Sequence, residues 1–185
     1  GNETAWLREW EATADRVAGL AEHSLARGHR VSAREAFFRA ANYYRTAEFF
    51  KRANPETDKD VARISNASRK AFISAAQLLD TPFEIVSIPY EGTTLPGYLF
   101  LADDSGSPKP TIIYNNGFDS TQEESYYAIA AAALLRGYNV LAFDGPGQGS
   151  VIRDQRIPFR HDWEAVITPV IDFALTRPQV LADKI

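Results

Sequence analysis

The stretch Ile112-Ile113-Tyr114-Asn115-Asn116-Gly117-Phe118-Asp119-Ser120-Thr121 joins an apolar run to a polar turn and then to residues that favour a helix start. This order predicts a buried strand that ends in backbone N–H groups facing a substrate, as in many α/β enzymes. Further along the chain, the apolar run Asn139–Phe143 ends in Asp144-Gly145-Pro146-Gly147-Gln148-Gly149. Parallel strands joined by a crossover helix place such turns on the same edge of the sheet, where open α/β sheets bind ligands.

The first of these turns has the features of an oxyanion site. Gly117 directly follows the predicted strand, and a glycine there permits a sharp reversal that points the N–H of Phe118 into the cleft. Capping of the next helix by Asp119 or Ser120 is the structural alternative, and it is compatible with an oxyanion site because a cap fixes the turn. We therefore predict Phe118 as a backbone oxyanion donor, Gly117 as the turn residue and Asp119 as a substrate contact.

The glycine-rich turn at 145–149 differs from a nucleotide-binding loop. It lacks the Gly-x-Gly-x-x-Gly spacing, contains Pro146, and is predicted to enter a long loop to Pro158 and not directly a helix. Three glycines at a strand end instead fit a backbone that passes close beside a neighbouring turn. A structural turn is therefore predicted here in preference to direct catalysis.

His161 and Asp162 are neighbours that resemble a catalytic couple. Adjacent residues on a helix point about 100° apart and do not face one another, so the pair predicts the start of a helix over about 161–176. The other two histidines, His23 and His29, lie in the helical part of the chain.

The N-terminal third has the apolar period of three helices. The predicted helices cover residues 4–27, 32–52 and 57–79. Gly28 closes the first, and Ser32 with Glu35 predicts a capping box for the second. The second helix is predicted to stop at Asn54-Pro55. The three helices are expected to form a small antiparallel bundle, a cap or dimerisation domain over residues 1–80.

The aromatic residues of the second helix permit two interpretations. Core packing is one, and the other is that an edge of the stripe covers the pocket of the following domain or forms a homodimer face. The residues concerned are Phe37, Phe38, Tyr43, Tyr44, Phe49 and Phe50. The helical hairpins also resemble tetratricopeptide pairs, so a peptide-binding adaptor is an alternative function. No second copy of the pattern is present, although at least three repeats are usually needed.

After Thr81-Pro82 the pattern changes to that of an α/β domain. Alternating residues over 83–90 and 95–101 predict an antiparallel hairpin. The remaining elements are a strand over 111–114, a helix to Arg136 with cap signals at Ser120/Thr121 and Glu123/Glu124, a strand over 139–143, a helix, and the start of a strand at Lys184-Ile185. This order predicts a mostly parallel sheet with an antiparallel hairpin at its edge, over residues 81–185.

Composition narrows the classes of function. The 185 residues are 45% hydrophobic and 24% charged, which are globular values. A net charge of -4 gives no basic field for nucleic acid or anionic lipid, and the longest apolar run is too short to cross a bilayer. The absence of cysteine excludes disulfides and thiol nucleophiles and fits the reducing cytoplasm, the predicted location.

Because the charge gives no basic field for nucleic acid or anionic lipid, a small-molecule partner is expected. Because methionine is absent too, we expect the sequence to be part of a longer protein.

Four motifs together resemble a known family. They are Leu95-Pro96-Gly97-Tyr98-Leu99, then 116–124, then Phe143-Asp144-Gly145-Pro146-Gly147-Gln148-Gly149, then Arg160-His161-Asp162-Trp163-Glu164. The pattern resembles the α/β-hydrolase branch with an N-terminal helical domain, which includes 2,6-dihydroxypseudooxynicotine hydrolase and fermentation-respiration-switch-type esterases. Fungal pigment-pathway polyketide hydrolases are similar to them. The resemblance covers essentially the whole chain.

The resemblance implies a Ser-His-Asp hydrolase acting on esters or on C–C bonds beside a carbonyl, without a metal or cofactor. It implies that the Phe118 N–H belongs to the oxyanion hole and that the nucleophile follows Ile185 in a Gly-x-Ser-x-Gly elbow. No such motif occurs in this chain, and Ser150 stands where relatives often have an acidic residue. The helical domain would cap the cleft, its aromatic residues suiting an aromatic or polyketide-like substrate. A non-catalytic, small-molecule-binding member of the fold is the alternative.

Overall fold

The computed structural model describes residues 2–51, 53–54 and 57–185. The chain divides into two compact units, Gly1–Asp80 and Thr81–Ile185. The predicted end of the second helix at Arg52 and its predicted stop at Pro55 lie outside the described residues. Across the described ranges, no helix combines the length and the apolar character needed to cross a membrane.

The first unit consists of helices α1 (Glu3–Ala26), α2 (Arg30–Glu48) and α3 (Lys59–Ala76). The Asn2 side chain caps α1 by accepting the N–H of Ala5, and Gly28 lies just beyond its end with a φ of 77°. Helix α1 packs on α2, and α2 packs on α3. The three predicted helices are therefore confirmed.

The capping box predicted for the second helix is wrong. Helix α2 begins two residues before Ser32, and His29 at its N-cap makes no side-chain hydrogen bond to the helix. Glu35 cannot reach back to a cap because its carboxylate pairs with Arg34 at 3.0 Å. The short link after α1, residues 27–29, leads directly into α2.

The aromatic residues within α2 and at its C-terminal end differ in burial, and the predicted role as a pocket cover or homodimer face remains a prediction. Phe37, Phe38 and Tyr44 are buried, as core packing requires, whereas Phe49 and Phe50 at the end of the helix are 43% and 52% exposed. The buried surface between the helices is otherwise rich in alanine, which lets their backbones approach closely: Ala14, Ala21, Ala33, Ala36, Ala40, Ala41 and Ala47.

The second unit contains a four-stranded sheet in the order β1-β2-β4-β3. Its strands are β1 (Phe83–Tyr90), β2 (Thr93–Phe100), β3 (Thr111–Asn115) and β4 (Asn139–Phe143). The pairs β1–β2 and β2–β4 are antiparallel, and β3–β4 is parallel. The hairpin turn is the dipeptide Glu91-Gly92, with φ values of 37° and 80°. The predicted α/β fold is confirmed, with a mixed sheet in this part of the chain.

Helices cover the sheet on its apolar faces. Helix α5 (Glu164–Leu175) buries Val166, Val170 and Ala174 against a cluster that includes Leu99, Leu141 and Phe143. The connection after β3 is less regular than predicted, because it contains a π-helical segment, Tyr126–Ala130, before the short helix α4 (Ala131–Leu134). The loop predicted after β4 likewise contains a π-helical turn, Val151–Gln155. At the other edge of β3, the Thr111 N–H donates to the Lys184 carbonyl at 3.0 Å, as a neighbouring strand would require.

Candidate active site

The turns that follow β3 and β4 start side by side. Asn115, the last residue of β3, pairs with Phe143, the last residue of β4. The two strands therefore end at the same level of the sheet. The Asn116 amide donates to the Phe143 carbonyl at 2.8 Å. In return, the Gln148 amide donates to the carbonyls of Asn116 and Gly117 at 2.8 and 3.0 Å. The prediction that both turns share one edge of the sheet is confirmed.

Asp144 is the centre of this contact. It is 1% exposed, and four donors reach its carboxylate. They are the Asn116 amide at 3.1 Å, the Gln122 N–H at 2.7 Å, and the Ser150 N–H and hydroxyl, both at 2.9 Å. Burial raises the pKa of Asp144 to about 6, the charge of Glu123 acts in the same direction, and the Ser150 and Gln122 donors oppose it. No cationic side chain is among these four donors, so amide and hydroxyl dipoles hold the charge.

The same carboxylate caps two helical segments. The Gln122 N–H lies at the start of the segment after β3, and the Ser150 N–H directly precedes the turn Val151–Gln155. A negative charge at a helix start is favourable because free N–H groups and the helix dipole converge there. Sequence patterns alone did not identify this cap, because Asp144 lies 22 residues beyond Gln122 in the chain.

The local cap predicted at Ser120/Thr121 with Glu123/Glu124 is wrong. The Ser120 hydroxyl donates to the Glu124 carboxylate at 2.7 Å, and Glu123 accepts a hydrogen bond from the buried Tyr98 hydroxyl at 2.8 Å. Both carboxylates are thus engaged with side chains, and Asp144 supplies the cap from the neighbouring strand end.

The described geometry does not require glycine at position 117, and the role of Gly117 as the turn residue remains a prediction. Gly117 has no left-handed φ, and a Cβ added there would meet only the Ser120 Cβ, at an ordinary 3.8 Å. In the other turn, Gly147 has a φ of 80° and a Cβ there would lie 2.5 Å from Phe159. A Cβ on Gly149 would collide with the Asp144 carboxylate. The turn after β4 therefore requires glycine, which confirms its predicted close backbone approach, whereas the turn after β3 does not.

Phe118 lies at the exposed tip of its turn. The Ser120 N–H donates to the Gly117 carbonyl at 3.2 Å, which closes the turn around Phe118 and Asp119. The Phe118 side chain is 71% exposed, and Asp119 is exposed beside it. In the described part of the chain, no acceptor receives the Phe118 N–H. This donor is available to a ligand, and its oxyanion role remains a prediction.

The glycine-rich turn offers no phosphate site, although for a different reason than predicted. A helical turn, Val151–Gln155, does follow it almost at once. The leading amide of that segment, the Ser150 N–H, is already donated to Asp144. The carboxylate thus occupies the place where a phosphate would bind.

His161 does not form a couple with Asp162. The Asp162 carboxylate pairs with Arg160 through two hydrogen bonds of 2.7 and 2.6 Å, and this pairing lowers the pKa of Asp162 to about 2. Arg160 also reaches the Tyr90 hydroxyl and Glu91, so it joins the loop to the hairpin. The structural interpretation of His161-Asp162 is favoured.

Among the described residues, no group of three or more His, Asp or Glu side chains could hold a metal ion.

Two depressions lie on the surface of the described residues. One, of about 1040 Å³, lies on the helical unit against Trp6, Trp10 and Phe50. A second, of about 700 Å³, lies along the edge of β3 near Ile167 and Ile171. We place the candidate site at the two turns because the polar groups converge there.

Comparison with known proteins agrees with these motifs. A family model described as esterase FrsA-like matches residues 2–159, which include both the helical unit and the sheet. A hydrolase of Aspergillus aculeatus is 42% identical over 93% of this chain and 43% of its own length. A 20-hydroxy-prefusarin hydrolase of Gibberella moniliformis is 42% identical over 94% of this chain and 42% of its own length.

A solved structure is also similar to this chain. The crystal structure of the 2,6-dihydroxy-pseudo-oxynicotine hydrolase superposes with a TM-score of 0.83 at 27% identity, covering 97% of this chain and 48% of that one. The chain thus spans less than half the length of the relatives it matches. Because the family match includes the helical unit and the sheet together, the isolated-adaptor interpretation is not supported.

Proposed function

Because this chain belongs to the FrsA-like esterase family, we propose that the complete protein is a serine hydrolase that cleaves esters or C–C bonds beside a carbonyl. The observation that carries the proposal is the Phe118 N–H, which has no acceptor in the described residues. It lies in a turn cross-linked by Gln148 to a second turn at the same sheet edge. An available, fixed backbone donor is what an oxyanion hole requires.

In the proposed mechanism, a serine oxygen beyond Ile185 attacks the substrate carbonyl while a histidine accepts its proton. The carbonyl oxygen then becomes an oxyanion that accepts a hydrogen bond from the Phe118 N–H. A second N–H, from the residue after the nucleophile, would complete the hole. Loss of one such donor removes about 3 kcal/mol of transition-state stabilisation. The acid and the histidine of the triad are also expected beyond Ile185.

Asn116, Asp144 and Gln148 act on this site through the turn. None is expected to touch the substrate, since their side chains are buried at 3%, 1% and 1% exposure. They fix the Phe118 backbone before the substrate arrives, which removes the cost of reorienting the donor during the reaction. Asp119, exposed in the same turn, is proposed as a substrate contact.

The relatives support a small organic substrate. Two of them are named for 20-hydroxy-prefusarin and 2,6-dihydroxy-pseudo-oxynicotine, which are small molecules. We extend this class to the present protein, with an aromatic or polyketide-like substrate and no cofactor. The helical unit is proposed to serve as a cap or a homodimer face, and the cytoplasm as the location.

The test is covalent labelling of the complete protein with a fluorophosphonate. An activated serine displaces fluoride from phosphorus and forms a phosphonylated enzyme, so one label per chain and loss of p-nitrophenyl ester hydrolysis are expected. Heat-unfolded protein is the control, because an unactivated serine does not react. Absence of both labelling and turnover would favour the non-catalytic binding protein.

A further inference from the structure

Three aromatic rings form a continuous row beside the candidate oxyanion donor. We call this row the aromatic ladder; it consists of Phe118, Phe159 and Trp163. The Phe118 and Phe159 rings meet edge to face, with centroids 5.4 Å apart and planes at 68°. The Phe159 and Trp163 rings are stacked, with centroids 4.9 Å apart and planes at 16°. These are favourable geometries for aromatic pairs.

Specific contacts hold the ladder in place. The Trp163 indole N–H donates to the Asn115 side chain, the last residue of β3, at 2.9 Å. A Cβ on Gly145 would lie 2.7 Å from the Trp163 ring, and one on Gly147 would lie 2.5 Å from Phe159. The glycine-rich turn therefore passes directly beneath the two stacked rings, and its lack of side chains gives them room.

The outer end of the ladder is exposed. Phe118 is 71% and Phe159 47% exposed, although a phenyl ring gains free energy when it leaves water. The exposed surface adjoins the unpaired Phe118 N–H, because ring and donor belong to one residue. Apolar aromatic surface next to a single oriented polar group is the usual composition of a small-molecule site.

We propose that the aromatic ladder binds a planar aryl or conjugated group that is attached to the substrate carbonyl either directly or through the ester oxygen. A carbonyl oxygen that accepts the Phe118 N–H places its substituents within reach of the Phe118 and Phe159 rings. A planar substituent extends the edge-to-face and stacked series, whereas a saturated ring of similar size does not match it. This inference rests on the proposed function and adds the residues that select a planar over a saturated substituent.

The experiment compares matched esters on the complete protein. Methyl benzoate is paired with methyl cyclohexanecarboxylate, and phenyl acetate with cyclohexyl acetate, with hydrolysis followed by acid release. The variants are Phe118→Leu and Phe159→Leu, which keep an apolar side chain and leave the Phe118 N–H in place. Tyr138→Leu is the control, since Tyr138 is 41% exposed but precedes β4 at the opposite end of that strand.

The expected result is a loss of aryl preference. In at least one ester pair, the aryl-to-cyclohexyl ratio of kcat/KM should fall about fivefold to tenfold in both ladder variants, a typical effect of losing one aromatic contact. Tyr138→Leu should keep the wild-type ratio. Unchanged ratios for both pairs in either ladder variant would overturn the proposal.

A binding measurement separates this inference from the proposed hydrolase activity. Calorimetry with acetophenone and cyclohexyl methyl ketone should show tighter binding of the aryl ketone by the wild type and loss of that difference in Phe159→Leu. An inactive wild type that still prefers acetophenone through the ladder would overturn the hydrolase proposal alone. Equal binding of the two ketones by the wild type would overturn the ladder proposal alone.

Discussion

The turns after β3 and β4 meet at one sheet edge, yet they are built in opposite ways. The turn after β4 is buried, and its glycines lie where a Cβ would strike Trp163, Phe159 or the Asp144 carboxylate. The turn after β3 exposes Gly117, Phe118 and Asp119 and has room for a side chain at Gly117. The comparison thus separates a buried turn after β4, which serves as the scaffold, from an exposed turn after β3, which we propose to present groups to a ligand.

The largest effect expected from breaking this arrangement is that of Asp144→Ala. The substitution removes the acceptor of four hydrogen bonds, donated by the Gln122 N–H, the Asn116 side-chain amide, and the Ser150 N–H and hydroxyl. We therefore expect the unfolding free energy to fall by about 3–5 kcal/mol. Chemical denaturation of the complete protein measures it.

Asp103→Ala is the matched control for that variant. Asp103 also accepts the N–H and hydroxyl of a serine, Ser105, at 3.0 and 2.6 Å, but it lies on the surface beside Lys109. A much smaller effect is expected because water replaces the lost partner. Equal destabilisation by the two variants would contradict the scaffold role of Asp144.

The next effect separates the glycines of the two turns. Gly147→Ala places a side chain at a φ of 80° against the Phe159 backbone, and it should destabilise the protein by about 2–4 kcal/mol. Gly117→Ala is the paired control and should change stability by less than about 0.5 kcal/mol. Thermal unfolding of the two variants side by side checks the difference. Similar losses would mean that both turns depend on glycine, contrary to the geometry.

The strands and the first helices could be predicted from sequence because their signals are local. Alternation over residues 83–90 and the Glu91-Gly92 turn fix the hairpin, and the apolar runs before Asn116 and Asp144 fix β3 and β4. The shared edge also followed from the parallel-strand rule. The candidate oxyanion role of Phe118 follows from its place directly after the strand and a glycine, and it remains a prediction.

The polar network could not be predicted in the same way. Asp144 caps a helix that begins 22 residues earlier, and Gln148 supports a turn 31 and 32 residues earlier. Those partners become neighbours only through the strand register. The sequence also does not show which glycines a turn requires, because a glycine has the same signature whether or not its φ is positive. Spatial contacts, and not composition, decide which glycine is required.

A smaller effect is expected when the Gln148 hydrogen bonds that join the two turns are removed. Gln148→Glu removes the donor to the carbonyls of Asn116 and Gly117 and sets a carboxylate against them, which should loosen the Phe118 N–H. We expect kcat to fall about tenfold to a hundredfold, with KM changed less than threefold, because the contact serves the transition state. Steady-state kinetics with p-nitrophenyl esters on the complete protein measures the split.

Gln155→Glu provides the matched control for Gln148→Glu. The Gln155 amide donates to the Thr94 carbonyl at 2.9 Å, so the same chemical change is made at a backbone carbonyl near the surface and away from Phe118. Its kcat should stay within twofold of the wild type, a typical range for a surface change. A rise in KM with unchanged kcat in Gln148→Glu would assign the residue to substrate binding in place of donor positioning.

The smallest effect concerns pH and tests how the scaffold holds its charge. Burial raises the pKa of Asp144 from 3.8 to about 6, so the folded state binds this proton more tightly than the unfolded state does. The stability that protonation contributes is complete below about pH 4 and is lost as the pH rises through about 6. The Asp144→Asn variant is the reference, because an asparagine side chain does not titrate.

The unfolding free energy of the wild type, minus that of Asp144→Asn, should therefore fall by about 1 kcal/mol or more between pH 4 and pH 7. Urea denaturation at several pH values measures this difference. A difference that stays flat would show that the four donors keep Asp144 ionised throughout, so that its hydrogen bonds outweigh its burial.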